Sequence, residues 1–316
     1  MKKVFRANLY FLIILLLEIF MPYVLLPIYR AVGIRDVRIA LVCNHIIIFI
    51  IPAIIYVIIT KCNVVETFKF KVLPLKDLIF VIILGFLCVP IMNFFGIISG
   101  FFFENNIGNL MTSISSTPYI VLMGIIALMP AITEEITLRG VILSGYSGKS
   151  RFKSAVIIGI FFGIFHLDAN QFLYAAVLGF ILAYAVRVTG SIFTSMIMHF
   201  IINGSSVTLQ KLMTLIQPDK IDKTSSVSLK TLTLAEKISL LQGSIGMFIV
   251  VSVLAFFVIK KLDVLGRRRG VVDLENPEGY RNISGSLVET NERIINLPLI
   301  ASVIIYILYM SITSMI

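Results

Sequence analysis

Charge is scarce in this chain. Only 14% of its 316 residues are Asp, Glu, Lys or Arg, and 58% are hydrophobic. A soluble domain carries about 25% charged and about 45–50% apolar residues. The scarcity excludes a single water-bounded core. A mean hydropathy of +1.00 instead fits a membrane protein whose apolar residues face lipid or one another. Cysteine is equally sparse. Cys43, Cys62 and Cys88 have no metal-type spacing, and Cys43 and Cys88 lie within apolar runs. They read as free thiols, which excludes a disulfide framework. No internal repeat or low-complexity tract occurs, so an inverted-repeat transporter gains no support. The net charge of +10 does not imply nucleic acid. The basic residues lie between apolar runs, where the positive-inside rule puts them, and no aromatic-basic interleaving accompanies them. The basic, apolar beginning resembles a signal peptide, but Glu18 interrupts it, Pro22 follows and no small-residue cleavage site appears. An uncleaved first span is expected.

What is present is a series of apolar stretches near the roughly 20 residues that cross a bilayer. They fall at 8–29, 39–60, 78–103, 118–143, 154–168, 171–187, 190–207, 241–259 and 296–316. The expected fold is all-α, a polytopic transmembrane helix bundle of about nine spans. Connections rich in Lys and Arg alternate with "ENNIGNLMTSISSTP", which has neither, and with "LDANQ". That alternation puts the N-terminus in the cytoplasm and the C-terminus outside, with the cell membrane as the expected residence. "RAVGIRDVR" and the 207–240 segment, both assigned outside, fit less well. Thr233 and Glu236 have the spacing of a capping box that opens the eighth helix.

Ionisable residues inside spans are functional candidates by default. "MPAITEEITLRG" places Glu134, Glu135 and Arg139 together in an oily helix, at an insertion cost of about 8 kcal/mol if all three are ionised. Glu135 and Arg139, four residues apart with the acid first, can pair along the helix. Glu134 is turned about 100° away and keeps a spare carboxylate, suited to a general base. All three histidines are also in apolar segments. His45, in "LVCNHIII", reads as a side chain that hydrogen-bonds a neighbouring helix. Phe162 and His166 share a face, and Gly159 with Gly163 would let another helix approach closely. His199 and Asn203, one turn apart, present two polar groups to one face. "GYSG" at 145–148 precedes Lys149 and reads as a turn rather than a nucleophile. The sequon at Asn203 is mid-helix and not an acceptor site. No Gly-x-Gly-Asp and no His-Glu-x-x-His occurs.

Three motifs stand in order: Glu134-Glu135-Ile136-Thr137-Leu138-Arg139, Phe162-Gly163-Ile164-Phe165-His166 and His199-Phe200-Ile201-Ile202-Asn203. In this the chain resembles the CPBP intramembrane proteases, also called the Abi or CAAX-protease family. Pro130, Gly140 and "LGFILAYAVRVTGSI" match as well, and Leu138 departs from a common Phe at a packing position. The resemblance covers 117–206 and implies a catalytic helix core there. Residues 1–116 would then be N-terminal transmembrane helices, and 207–316 a C-terminal loop and transmembrane helices. It implies a CAAX prenyl endopeptidase-like enzyme acting on a membrane-associated peptide or protein within the lipid bilayer. Glu134 would activate a water with His166 assisting, and His199 and Asn203 would stabilise the oxyanion. Glu135, Arg139 and Phe162 would support them. The family is classed among the metalloproteases, so Glu134, His166 and His199 are also candidate ligands for a divalent metal such as zinc, although a metal-free glutamate mechanism fits equally. Two rivals remain open: a non-catalytic membrane regulator or immunity protein that binds a peptide or sensor partner, and a transporter using Glu134 and the histidines as a proton relay.

Overall fold

The computed structural model describes residues 2–216, 228–271 and 292–313. Among these residues there is no strand, and nine long helices follow one another: α1 Lys3–Ala31, α2 Val37–Thr60, α3 Leu75–Gly100, α4 Tyr119–Gly145, α5 Arg151–Phe165, α6 Ala169–Thr189, α7 Phe193–Ile216, α8 Leu234–Arg268 and α9 Leu297–Thr313. Six of them, α1–α4, α6 and α8, are long and apolar enough to cross a membrane by length and composition.

Local chemistry sets the boundaries. The Asp36 carboxylate accepts from the Arg38 N–H at 2.9 Å and starts α2. Asp168 does the same for Gln171 and starts α6. Gly190, at φ +75°, ends α6 in a left-handed turn that a Cβ would oppose. Thr233 and Glu236 form the expected capping box, and α8 therefore begins before the apolar run at 241. α7 likewise extends past 207, to Ile216. Pro22, Pro27 and Pro90 lie within α1 and α3 without breaking them, as neighbouring groups allow in membrane helices.

The stretch expected as a span at 154–168 is a helix of 15 residues. At 1.5 Å per residue it is about 22 Å long, short of a hydrocarbon core of about 30 Å. The 3.6-residue period also fails locally. Met123–Leu128 and Ile136–Ile142 in α4, and Ile46–Ile50 in α2, are π-helical, the wide turn that recurs at functional sites.

Connections meet at two ends of the bundle, as alternating spans require. At one end Asn8 donates to Asn296 at 2.9 Å, Arg187 to the Lys149 carbonyl at 2.7 Å and Arg269 to Asp77 at 2.7 Å. At the other, Asn106 donates to Asp168 at 2.9 Å, Asn170 to the Phe103 carbonyl at 3.0 Å and Lys211 to the Ser115 carbonyl at 2.9 Å. Much of the 261–293 connection and the middle of 207–240 lie outside the described residues.

Close packing joins α5 to α6. A Cβ at Gly159 would stand 2.6 Å from the Ala176 carbonyl oxygen, one at Gly163 2.8 Å from that of Phe172, and one at Gly179 2.7 Å from the Phe162 Cβ. The Gly159–Gly163 pair thus has the helix partner expected of it. Lipid-facing positions on α2 and α8, such as Ile54, Ile58, Ile249 and Phe257, are apolar and exposed.

Candidate active site

α4 carries the charged motif into the middle of the bundle. Glu135 and Arg139 are completely buried, and Arg139 Nη1 donates to Glu135 Oε1 at 2.9 Å. The expected pair therefore forms, although the helix between its members is a π turn. Arg139 Nη2 donates to the Gly179 carbonyl on α6 at 3.2 Å. Gly179 lacks the side chain that would hold α5 and α6 apart. The guanidinium also stacks over the Phe162 ring, with its carbon 4.6 Å from the centroid.

Phe162 is a hub. Its ring is 1% exposed and meets His166 edge-on at 4.7 Å and His199 at 5.8 Å. Its carbonyl lies 2.7 Å from His166 Nδ1. A carbonyl only accepts, so Nδ1 carries the hydrogen and His166 Nε2 keeps its lone pair. The four-residue spacing of the motif is what lets the ring reach back to its own helix.

His199 belongs to the same assembly, with Nδ1 2.8 Å from Glu135 Oε1. Glu135 accepts from both His199 and Arg139 on one oxygen, so it orients the imidazole in addition to pairing with the arginine. With Nδ1 donating, His199 Nε2 also keeps a lone pair. Asn203, one turn further, donates through Nδ2 to the Ile126 carbonyl at 3.1 Å. That carbonyl is in the first π turn of α4. One amide hydrogen of Asn203 is thus committed to joining α7 to α4, and one remains.

Glu134 is 9% exposed, and its Oε2 is buried with no hydrogen-bond partner. It is close enough to His199, Glu135 and Arg139 to interact with their charges. Arg139 Nε is likewise buried without a partner, whereas Thr137 lies within reach of Tyr10 and Glu135 within reach of Ser195. Buried polar atoms without partners are rare in native interiors and are met by water or a ligand.

The metal set fits less well. Among the described residues no three His, Cys, Asp or Glu side chains gather into a group that could hold an ion. Glu134, His166 and His199 therefore do not form a three-ligand zinc site. The turn at Gly145–Gly148 is a helix end with Ser147 exposed. Cys43, Cys62 and Cys88 are free thiols. Leu138 is fully buried, as a packing position should be.

Two residues from outside the charged motifs come close as well. His45 on α2, read from sequence as a helix contact, lies 2.8 Å from Thr133 Oγ1, next to Glu134. Glu18 on α1 is within electrostatic range of Glu134. Nothing in the sequence links either residue to Glu134 beyond its being ionisable inside a span.

Residues 116–205 match the family model described as Rce1-like, type II CAAX prenyl endopeptidase Rce1-like. That segment holds the three motifs and lies over nearly the same residues as the resemblance at 117–206. No curated protein and no solved structure matches the chain.

Proposed function

We propose that the protein is an intramembrane endopeptidase that hydrolyses a peptide bond of a membrane-associated peptide or protein by a glutamate-activated water. The observation that carries this is the unpartnered Oε2 of buried Glu134 beside a histidine already held by Glu135. A carboxylate used only as a helix contact would accept hydrogen bonds from its neighbours, as Glu135 Oε1 does from Arg139 and His199, and among the described residues Glu134 has no such bond.

In this reading Glu134 takes a proton from the water as its oxygen attacks the scissile carbonyl, and His166 Nε2 accepts a hydrogen bond from the same water. The carbon–nitrogen bond breaks as the proton on Glu134 passes to the leaving amine. Asn203 offers its uncommitted amide hydrogen to the oxyanion. His199, with its hydrogen on Nδ1, donates from Nε2 only as an imidazolium. Glu135, hydrogen-bonded across the ring, is placed to stabilise that form, the role a buried carboxylate plays behind a catalytic histidine. Burial of Arg139 and Phe162 holds the rings in place.

The name of the matching family points to prenylated substrates ending in a CAAX sequence. The test is cleavage of an internally quenched peptide with a farnesylated cysteine and three further residues, by the full chain in proteoliposomes. Wild-type cleavage that Glu134→Gln abolishes, at unchanged protein level, supports the reading. Undiminished cleavage by Glu134→Gln overturns it, and a regulator that binds the peptide without hydrolysis would leave it intact.

A further inference from the structure

We propose that His45, on α2 and outside the matched segment, is a positioning residue of this site, acting through Thr133 to hold the turn of α4 that presents Glu134. The inference rests on the hydrolase reading above and adds a residue from a helix that carries none of the three motifs.

Hydrogen accounting decides the direction of the contact. Thr133 Oγ1 donates its one hydrogen to the Met129 carbonyl at 2.9 Å. It has none left for His45, so at 2.8 Å His45 Nδ1 is the donor and the hydroxyl the acceptor. His45 therefore closes a chain from α2 through Thr133 to the Met129 carbonyl. Glu134 is the next residue along.

The need for such a tether follows from the backbone. α4 is π-helical at Met123–Leu128 and again from Ile136, leaving only Met129–Glu135 as a short α-helical piece between two wide turns. A side-chain bond from a second helix fixes the rotation of that piece about its axis. The bond is made inside the bundle. Thr133 is buried, His45 is half-buried, its ring packs 5.2 Å from the buried Phe49, and it lies within electrostatic range of His199. α2 turns π-helical immediately after His45. Rotation of Glu134 would move its carboxylate relative to the water it must deprotonate, and misplacement of about 1 Å can cost about 100-fold in rate.

The two amide side chains separate this role from a generic contact. Asn can put an N–H near the position of imidazole Nδ1, whereas Gln extends its amide toward Nε2. With the farnesylated peptide in proteoliposomes, His45→Leu and His45→Gln should lower kcat by about 10–100-fold with KM little changed. His45→Asn should keep most of the wild-type kcat. Thr133→Val should lose as much as His45→Leu, and the double variant little more, since the two act as one unit. Thermal unfolding in detergent is run on each. Wild-type kcat in His45→Leu, rescue by Gln instead of Asn, or a loss tracking melting temperature alone would overturn the positioning role. Glu134→Gln in the same assay separates the two ideas. If it remains active, the hydrolase reading fails. If it is silent while His45→Leu is fully active, only this inference fails.

Discussion

Glu135 Oε1 receives two hydrogen bonds, from Arg139 and from His199, while Glu134 Oε2 is unpartnered and no hydrogen bond ties Glu134 to another side chain among the described residues. Adjacent residues of one type thus have opposite consequences when changed. Glu135→Ala strands a buried guanidinium, and breaking a fully buried pair costs about 3–5 kcal/mol. It should lower the melting temperature and the protein level, read by thermal unfolding in detergent. Glu134→Gln removes charge at constant shape from a group that holds nothing together, so its melting temperature should stay at the wild-type value while turnover disappears. A Glu134→Gln protein that melts like Glu135→Ala would show the two acids to be one structural unit. Asn203 combines both kinds of role. Its bond to Ile126 predicts a stability loss of about 1 kcal/mol in Asn203→Ala. The remaining amide hydrogen predicts a fall of about 10²–10³ in turnover. Combining it with His199→Ala should cost much less than the sum of the two. Fully additive losses, or wild-type turnover with reduced stability, would leave Asn203 as a helix contact only.

At the scale of helices, the site depends on α5 and α6 lying close enough for Arg139 of α4 to meet the Phe162 ring and the Gly179 carbonyl together. Gly179 meets that requirement twice. It offers the carbonyl to Arg139 at 3.2 Å and leaves no room for a Cβ beside Phe162. Gly179→Ala should therefore cost about 1–3 kcal/mol, as overpacking does, and should also reduce cleavage by shifting Phe162 from beneath the guanidinium. Gly243 on α8 is the control, because nothing lies within 4 Å of the added methyl. Gly243→Ala should be neutral or stabilising by roughly 0.5–1 kcal/mol. Equal melting temperatures for the two variants would show that the close approach is not needed for stability.

For the whole molecule, the ends differ in charge. Lys61, Lys69, Lys71, Lys149, Arg151 and Arg267–Arg269 belong to one end, while the 101–118 connection at the other has no Lys or Arg, although Arg38, Lys211 and Lys237 reach that connection from neighbouring elements. The positive-inside rule predicts that the first end faces the cytoplasm. With Cys43, Cys62 and Cys88 replaced, a cysteine at Asn105 should react with an impermeant reagent in intact cells. A cysteine at Ser147, in the exposed turn after α4, should react only after permeabilisation. The reverse pattern would invert the orientation.

Membership of the membrane class, the approximate helix positions and the three motifs were legible in the sequence, because hydropathy and residue spacing are local properties. The Glu135–Arg139 pair was legible too, since both partners lie on one helix. Where the spacing rule assumed a 3.6-residue turn, the backbone widened to π turns that local apolar patterning does not signal. Contacts between residues distant along the chain were decided only by the tertiary structure. Arg139 reaches Gly179 where glycines let α5 and α6 close up, and Glu135 reaches His199 because α7 packs on α4, with Gly204 against Met123 and Ala127. His45 approaches Thr133 only because α2 packs beside α4, and no periodicity within either helix encodes that distance. The sequence by itself determined which groups capable of the chemistry lie inside the membrane. Packing decided which of them are hydrogen-bonded to one another and which, like Glu134 Oε2, are left without a partner.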